Sequence, residues 1–198
     1  MDTSLFYVGK KETSPIKLVY HGSLTKERGV LNLIEVVRNL TDYGLDVTLR
    51  VFGSGPCLEN FISAGRGGLP IEAHGPVDFN KVPGILSECH IGLLPWPDQP
   101  SWNTSSPIKL FEYAASGMVI VGTDVQAHLD IGPKEWLRLA DKSNISSSMT
   151  DSLREIISEG RMPELGSSAR ESAEAEFQWS SVVSELDQLL KKIISIRD

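Results

Sequence analysis

One short segment of the sequence carries side chains whose types and spacing suit a phosphorylated ligand. It opens with Ser106 and Pro107, a pair typical of a helix start, because serine can cap the first N–H groups and proline fits the first turn. Lys109 and Glu112 follow on one helical face, in line with Ser105. A helix start favours phosphate, and a carboxylate one turn further along can accept hydrogen bonds from two ribose hydroxyls. The segment therefore predicts a nucleoside diphosphate site.

Two loops nearer the N-terminus carry groups of the same kind. Arg28 ends a loop that leads into a predicted helix, where a two-pronged guanidinium contact and the helix start would both favour an anion. Gly53, Ser54 and Gly55 let a ligand approach the backbone and leave N–H groups for phosphate oxygens. Leu58 stands where a dinucleotide fingerprint needs its last glycine. The loops therefore predict phosphate contacts without that fingerprint.

Each of these features also has a purely structural interpretation. Lys109 and Glu112 fit a surface ion pair worth roughly 0.2–0.5 kcal/mol, on a face that Ser116 extends. Arg28 fits a solvated arginine, and the glycine loop fits a tight turn. The residues by themselves leave these alternatives open.

The elements that must position these loops form an α/β pattern, because apolar runs alternate with helical periods. The pattern predicts a mostly parallel sheet with helices on both faces. The predicted strands are 16–20, 47–52, 71–74, 91–94, 118–121 and 137–139. The predicted helices are 30–40, 58–62, 82–87 and 107–116, followed by a helical region to residue 198. Ligands of such sheets bind beyond the carboxyl ends of the strands, so the loops should converge there.

Composition narrows the class of protein. A length of 198 residues with 40% hydrophobic residues supports one well-buried core, so a single domain over 1–198 is expected. The net charge of −7 disfavours nucleic acid and anionic membranes as partners, since both are polyanions. Cys57 and Cys89 form no CxxC motif, which favours a reduced, cytoplasmic setting. No apolar run reaches the roughly 18 residues of a membrane span, and no signal-peptide pattern opens the sequence.

The sequence offers neither a metal motif nor a nucleophile. His21, His74, His90 and His128 lack HExxH or His-x-x-Glu spacing, and most of them are expected to be surface or satisfied core residues. A Gly-x-Ser-x-Gly motif is absent as well. We therefore expect the chain to bind its ligand without a metal and without attacking it.

Taken in order, these loops resemble the C-terminal half of the family-four retaining glycosyltransferases of GT-B fold, over nearly the whole chain. Residues 2–6 resemble the segment that follows the interdomain linker. Residues 19–29 resemble a Gly-Arg-Leu loop ending in Lys-Gly, whose Arg and Lys grip the donor diphosphate. Ser23 replaces that Arg, and Arg28 stands at the Lys position. Residues 51–56 resemble the family's Gly-x-Gly-Pro loop.

Two further motifs of the resemblance concern the nucleoside and the sugar. Residues 74–77 resemble the Gly-x-Val turn near which the base lies. Residues 106–113 resemble the Pro-x-Lys-x-x-Glu helix, in which Glu112 is the second glutamate of a Glu-x7-Glu motif and would bind ribose. The first glutamate, the usual sugar contact, would fall at Thr104. Trp102, Asn103 and the neighbouring serines would then supply the sugar contact.

The resemblance implies a Rossmann-like donor-binding domain of a sugar transferase. Its predicted donor-binding residues are Ser23, Gly53, Ser54, Gly55, Gly75, Val77, Thr104, Ser105, Ser106, Ile108 and Glu112. Arg28 and Lys109 would stabilise the departing diphosphate, so no metal or other cofactor is expected. The donor would be a UDP-, GDP- or ADP-linked sugar, transferred with retention at its anomeric carbon.

The acceptor-binding N-terminal domain would be missing from this chain, so the isolated domain is expected to be inactive. Any membrane association would come from that missing domain. The final helix carries an apolar face formed by Val182, Leu186, Leu189 and Ile193. This face packs either on its own domain or on the missing one. In the second case, Leu190, Ile193 and Ile194 would be partly uncovered in this chain.

Two other functions fit parts of the sequence. A stand-alone nucleotide-binding or regulatory module would show the same glycine loops. A dehydrogenase-type domain would need GxGxxG after its first strand, where this chain has Gly22-Ser23-Leu24. The donor-binding domain of a transferase is therefore the leading interpretation, and the binding module is the alternative.

Overall fold

A parallel sheet forms the centre of the fold in the computed structural model, which describes residues 2–195. Its strands are β1 (Ile16–His21), β2 (Val47–Phe52), β3 (Ile71–Ala73), β4 (Ile91–Leu94), β5 (Val119–Thr123) and β6 (Leu137–Ala140). They lie in the order β3-β2-β1-β4-β5-β6, and the neighbouring strands are parallel. The strand order reverses between β1 and β4, which is the place where sheets of this kind bind ligands.

Helices flank the sheet. They are α1 (Asn32–Asp42), α2 (Leu58–Arg66), α3 (Val82–Ser87), α4 (Pro100–Asn103), α5 (Ile108–Ala115), α6 (Gln126–Leu129), α7 (Ile145–Glu159), α8 (Met162–Glu176) and α9 (Trp179–Ser195). Two 3-10 turns lie at Lys26–Arg28 and Phe79–Lys81. Helix α1 packs against α7, and α5 packs against α8. The predicted α/β fold with a mostly parallel sheet is therefore confirmed.

The core explains why apolar runs identified the strands. Every residue of β4 and of β5 is buried, as expected of parallel strands covered on both faces. Strand β1 pairs with β2 along its whole length, from Ile16 opposite Val47 to His21 opposite Phe52. The predicted strand ends agree with the observed ones to within two residues.

Two helices begin later in the chain than predicted. Helix α1 begins at Asn32 because Gly29 ends a 3-10 turn in the left-handed region, with φ 68°. Helix α5 begins at Ile108 because Pro107 adopts φ −80° and ψ 67°, and the Ile108 N–H donates to the Ser106 carbonyl oxygen at 2.9 Å. This is an inverse γ-turn, and no side chain caps the helix. The predicted cap by Ser106 is therefore wrong.

Backbone hydrogen bonds join the loops that follow β1 and β2. The Gly22 N–H donates to the Phe52 carbonyl oxygen at 2.8 Å, and the Leu24 N–H donates to that of Ser54 at 2.9 Å. The Cys57 N–H donates back to the Leu24 carbonyl oxygen at 2.9 Å. The two loops therefore form one layer at the carboxyl edge of the sheet.

Glycine is required in this layer because the two main chains touch. A Cβ atom on Gly53 would lie 1.8 Å from the Gly22 carbonyl oxygen, and one on Gly55 would lie 2.3 Å from that of Leu24. Gly53 also has φ 148°, a conformation that side chains rarely adopt. Its N–H donates to the Gly75 carbonyl oxygen at 2.7 Å, which adds the loop after β3 to the layer. The turn at Gly53 therefore serves the packing of three loops.

The last helix leaves an apolar face exposed. Its described side chains with at least half of their surface exposed are Trp179, Val183, Leu186, Leu189, Leu190, Ile193 and Ile194. The exposure expected for Leu190, Ile193 and Ile194 is thus confirmed, while the side chain of Val182 lies outside the described residues. This face of α9 is not covered by the described part of the domain.

We expect Gly53→Ala to lower the free energy of unfolding by about 3 kcal/mol or more, because it combines backbone strain with a collision between the new Cβ atom and the Gly22 carbonyl oxygen. Gly132→Ala is the matched control, since Gly132 has φ 78° and no atom within 4 Å of an added Cβ. Strain alone should cost that variant about 1–2 kcal/mol. Urea unfolding measures both losses, and equal losses would contradict the packing role of Gly53.

Candidate functional site

Two basic side chains and one acidic side chain meet at the carboxyl edge of the sheet. Lys109 lies in the first turn of α5, and Arg28 ends the 3-10 turn after β1. Burial and the positive charge of Arg28 lower the pKa of Lys109, while the carboxylate of Glu112 acts in the opposite direction. Lys109 therefore lies within electrostatic range of both Glu112, from its own helix, and Arg28, which was predicted from a separate loop.

Lys109 reaches this position by crossing Gly22. A Cβ atom on Gly22 would lie 2.5 Å from Cε of Lys109 and 2.9 Å from its Nζ. Gly22 also has φ 123°, which favours glycine. The side chain of Lys109 is half-buried, and it forms no ion pair with a residue in the described part of the chain. Its charge is therefore held in place without being neutralised.

Glu112 is a buried carboxylate, with 6% of its surface exposed, and it faces the end of β1. Its Oε2 lies 3.0 Å from Nε2 of His21, although that nitrogen is not aligned for a hydrogen bond. The His21 ring packs edge-on against Tyr113, with 5.4 Å between the centroids. The alternative of a solvated surface pair with Lys109 therefore does not describe Glu112.

Two neighbours of Glu112, His21 and Ser116, have a different place in the structure from the one that the sequence predicted. Most of the histidines were expected to be surface or satisfied core residues, and none was assigned to the site, whereas His21 contacts Glu112 in the candidate site. Its one signal in the sequence is its position as the last residue of β1, at the edge where ligands bind. Ser116, expected on the face of Glu112, is fully buried and donates its hydroxyl to the Glu112 carbonyl oxygen at 2.9 Å. It belongs to the end of α5 and not to the site.

Arg28 does not lie at a helix start. Gly29 follows it, and a Cβ atom on Gly29 would lie 2.0 Å from the Pro95 carbonyl oxygen, so the loops after β1 and β4 pack tightly here. The guanidinium carbon of Arg28 lies 4.0 Å from the ring centroid of Trp102 and 5.7 Å from that of Trp96. The predicted support of Arg28 by helix N–H groups is therefore wrong. Residue spacing gave no sign of the aromatic contact, which joins distant parts of the chain.

The glycine turn after β2 differs from the prediction in one respect. The Gly53 N–H is occupied by the Gly75 carbonyl oxygen at 2.7 Å and is not free for phosphate. Ser54 and Gly55 are exposed, and Val77 packs partly buried against the core. Gly53 therefore contributes to the site through loop packing, whereas Ser54 and Gly55 are open to a ligand.

The predicted site residues before α5 include exposed side chains and one side chain that forms a hydrogen bond within the domain. Thr104, Ser106 and Ile108 are exposed, as is Ser23 in the loop after β1. The Ser105 hydroxyl donates to a main-chain carbonyl oxygen of α4 at 2.8 Å. The four exposed residues remain open to a ligand, while the hydroxyl of Ser105 is directed toward α4.

Within residues 2–195, no group of three or more His, Cys, Asp or Glu residues could hold a metal ion. No helix of the described chain is both long enough and apolar enough to cross a membrane. The positive charge of Lys109 lies within electrostatic range of Arg28 and of Glu112.

Comparison with known proteins covers the same part of the chain. Residues 15–159 match the family model of glycosyl transferases group 1. The chain belongs to that family. A stretch of 51 residues is 37% identical to TuaH of Bacillus subtilis (strain 168), a glycosyltransferase named for teichuronic acid biosynthesis. This stretch represents 26% of the chain and only 13% of TuaH.

Solved structures share the fold of this group 1 glycosyltransferase domain. The C-terminal domain of LpcC, a group 1 protein from Francisella tularensis, matches with a TM-score of 0.75 at 18% identity, over 90% of this chain and 99% of that domain. The pneumococcal O-GlcNAc transferase GtfA, in complex with UDP and GlcNAc, matches with a TM-score of 0.72 at 17% identity. That match covers 98% of this chain and 37% of GtfA. The predicted fold, the C-terminal half of a GT-B enzyme, is confirmed.

The pKa of Lys109 tests the convergence of the three charged side chains. Arg28→Gln should raise it toward its usual value, because a like charge is removed. Glu112→Gln should lower it further, because a stabilising carboxylate is lost. Competitive amine labelling across a pH series, with mass spectrometry and the exposed Lys10 as reference, measures both shifts. No shift, or shifts in the same direction, would contradict the arrangement.

Proposed function

We propose that this domain binds the nucleotide-sugar donor of a retaining glycosyltransferase. The diphosphate would lie between Arg28 and Lys109, and the ribose would hydrogen-bond to Glu112. One observation carries the proposal: two cations, one from the turn after β1 and one from α5, converge at the strand-order reversal, and neither has an ion-pair partner among residues 2–195. Such a place favours an anionic ligand with more than one negative charge.

An anion would remove an unfavourable arrangement of charge. Arg28 and Lys109 repel each other, and the partial burial of Lys109 further disfavours its charged form. A diphosphate carries enough negative charge to compensate both cations, and in a partly buried site such attractions are screened less than in water. The site should therefore gain much more from a nucleoside diphosphate than from the neutral nucleoside.

The same charges suit the chemistry of sugar transfer. When the bond between the anomeric carbon and the diphosphate breaks, negative charge grows on the departing phosphate oxygens. Arg28 and Lys109 would stabilise that charge electrostatically. In this proposal the two side chains supply the positive charge and no metal takes part. Retention at the anomeric carbon, by a front-face route assisted by the leaving group, is carried over from the family resemblance.

Glu112 has the features of a ribose acceptor. A carboxylate offers about four lone-pair sites, and the close contact of Glu112 with His21 involves only one of its oxygens. Because Glu112 is buried, new hydrogen bonds to it would meet little competition from water. We place the base on the side of Gly75 and Val77, beyond the end of β3. The nucleoside would then run along the carboxyl edge from α5 toward β3.

The sugar of the donor would lie before α5. Trp102 is engaged with Arg28, and the Ser105 hydroxyl is bonded within its own loop. Thr104 and Ser106 are exposed hydroxyl residues between α4 and α5, while the side chain of Asn103 lies outside the described residues. We therefore assign the sugar contact to these two side chains, in place of the carboxylate that the family motif has at the position of Thr104.

Acceptor binding and transfer would need a further domain of the same protein. The chain spans only 37% of GtfA, and α9 exposes a continuous apolar face. Exposed apolar patches of this kind mark interfaces, and we propose that this face meets the acceptor domain. The proposed setting is the cytoplasm, with Cys57 and Cys89 buried as free thiols in support.

Calorimetric titration with UDP, GDP, ADP and the matching nucleosides tests the donor site. Glu112→Gln should weaken every ligand that carries ribose by roughly 10- to 150-fold, as expected for about 1.5–3 kcal/mol from hydrogen bonds to a charged group. Arg28→Ala should weaken the diphosphates and leave the nucleosides unchanged. Arg38→Ala, an exposed arginine of α1, is the control and should keep wild-type affinity. Failure of all three diphosphates to bind the wild type at millimolar concentration would contradict the proposed function.

A transfer assay with the 198-residue chain tests the need for a further domain. We expect binding of nucleotide-sugars without transfer of the sugar, because the proposed contacts of this domain are all to the donor. Product formation is followed with UDP-, GDP- and ADP-linked sugars in the presence of sugar and polyol acceptors. Robust transfer by this chain would contradict the two-domain proposal. Donor binding by a protein that also carries the second domain, but without transfer, would favour the regulatory binding module instead.

A further inference from the structure

Arg28 is held by aromatic rings and not by carboxylates. Its guanidinium carbon lies 4.0 Å from the ring centroid of Trp102 and 5.7 Å from that of Trp96. Within the described chain it has no ion-pair partner. A guanidinium over an indole face is attracted by the electrons of the ring. The two tryptophans therefore hold this cation without neutralising it.

The kind of partner decides what Arg28 can still bind. A carboxylate would occupy two N–H groups of the guanidinium and compensate its charge. A ring stacked on the flat face leaves the five N–H donors, which point outward in the guanidinium plane, available to phosphate oxygens. The contact with Trp102 therefore restricts the position of the Arg28 guanidinium while its donors and its charge stay available.

Trp102 is itself anchored on two sides. Its Nε1–H donates to the carbonyl oxygen of Glu27, the residue before Arg28, at 3.1 Å. Its ring packs against Trp96, with 5.4 Å between the centroids. Trp96 is buried, and its carbonyl oxygen accepts a hydrogen bond from the Thr123 hydroxyl at 2.6 Å. The loop after β1 and the end of β5 thus fix the position of Trp102.

We propose that Trp102 is a positioning residue, which holds Arg28 in the orientation that directs the guanidinium edge at the donor diphosphate. The inference rests on the proposed function. In this proposal Trp102 raises the affinity for the diphosphate by positioning Arg28, and it makes no contact with the ligand itself. The loop between β4 and α5 therefore contributes to diphosphate binding through α4, a segment that the family motifs do not include.

A double-mutant cycle measured with UDP and uridine tests this role. Trp102→Leu should weaken UDP by about three- to thirty-fold, the range of one stacked cation, and should leave uridine unchanged. Trp102→Phe keeps an aromatic face and should recover most of the affinity, which also controls for loss of folding. In the Arg28→Ala background, Trp102→Leu should have no further effect on UDP.

Three outcomes would overturn the inference. An equal loss of UDP affinity in the wild-type and Arg28→Ala backgrounds would show that Trp102 acts independently of Arg28. A loss of uridine affinity in Trp102→Leu would show a contact with the nucleoside or a general defect. A larger loss for a UDP-sugar than for UDP would show that Trp102 contacts the sugar.

Tryptophan fluorescence without any ligand separates this inference from the proposed function. Arg28→Ala should change the emission of the wild-type protein and have a smaller effect in the Trp102→Phe background, because Trp102, the indole nearer to Arg28, is then absent. The same change in both backgrounds would contradict the stack itself. If the stack is present but the wild type binds no UDP, GDP or ADP, the proposed function fails, and the positioning role fails with it. If UDP binds but the cycle is additive, only the positioning role fails.

Discussion

The contact between the main chains after β1 and β2 is the constraint on which the site depends. Gly53 lies so close to the carbonyl oxygen of Gly22 that neither loop can move outward without losing the hydrogen bonds between them. Gly22 in turn leaves the space through which Lys109 passes. A side chain at Gly22 would displace the ammonium group, and one at Gly53 would displace Gly22. The location of a charge on α5 is thus set by backbone packing in two other loops.

The fold was predictable from the sequence to a large extent, and physical reasons limit what was not. Strands buried on both faces appear as apolar runs, so β4 and β5 were located closely. The starts of α1 and α5 were misplaced, since each depends on a local conformation that residue types do not specify uniquely. Gly29 ends one turn with a positive φ, and Pro107 forms a γ-turn in place of a first helical turn. Helix α4 was not predicted at all.

The site residues that lie close together in the sequence could be predicted. Those that meet only through contacts between distant segments could not. Lys109 and Glu112 stand three residues apart, so their common face follows from helix geometry. The partners that hold the charges come from elsewhere in the chain: His21 from the end of β1, and Trp102 from the loop after β4. No spacing rule links residues so far apart. Such long-range contacts are known only once the strand order is known.

The charged side chains of the site share one property: each is held by a group that leaves its charge available. Trp102 stacks on Arg28 without accepting its protons, and Gly22 gives Lys109 space without an opposite charge. Glu112 contacts His21 and forms no ion pair with Lys109 in the described part of the chain. A site selected for stability alone would pair the cations with the carboxylate, because like charges held together are unfavourable. Leaving them unpaired is costly without a ligand and favourable with one, since groups placed in advance need no reorganisation when charge develops. This difference in cost is the physical argument for the proposed role of Arg28 and Lys109 toward a departing diphosphate.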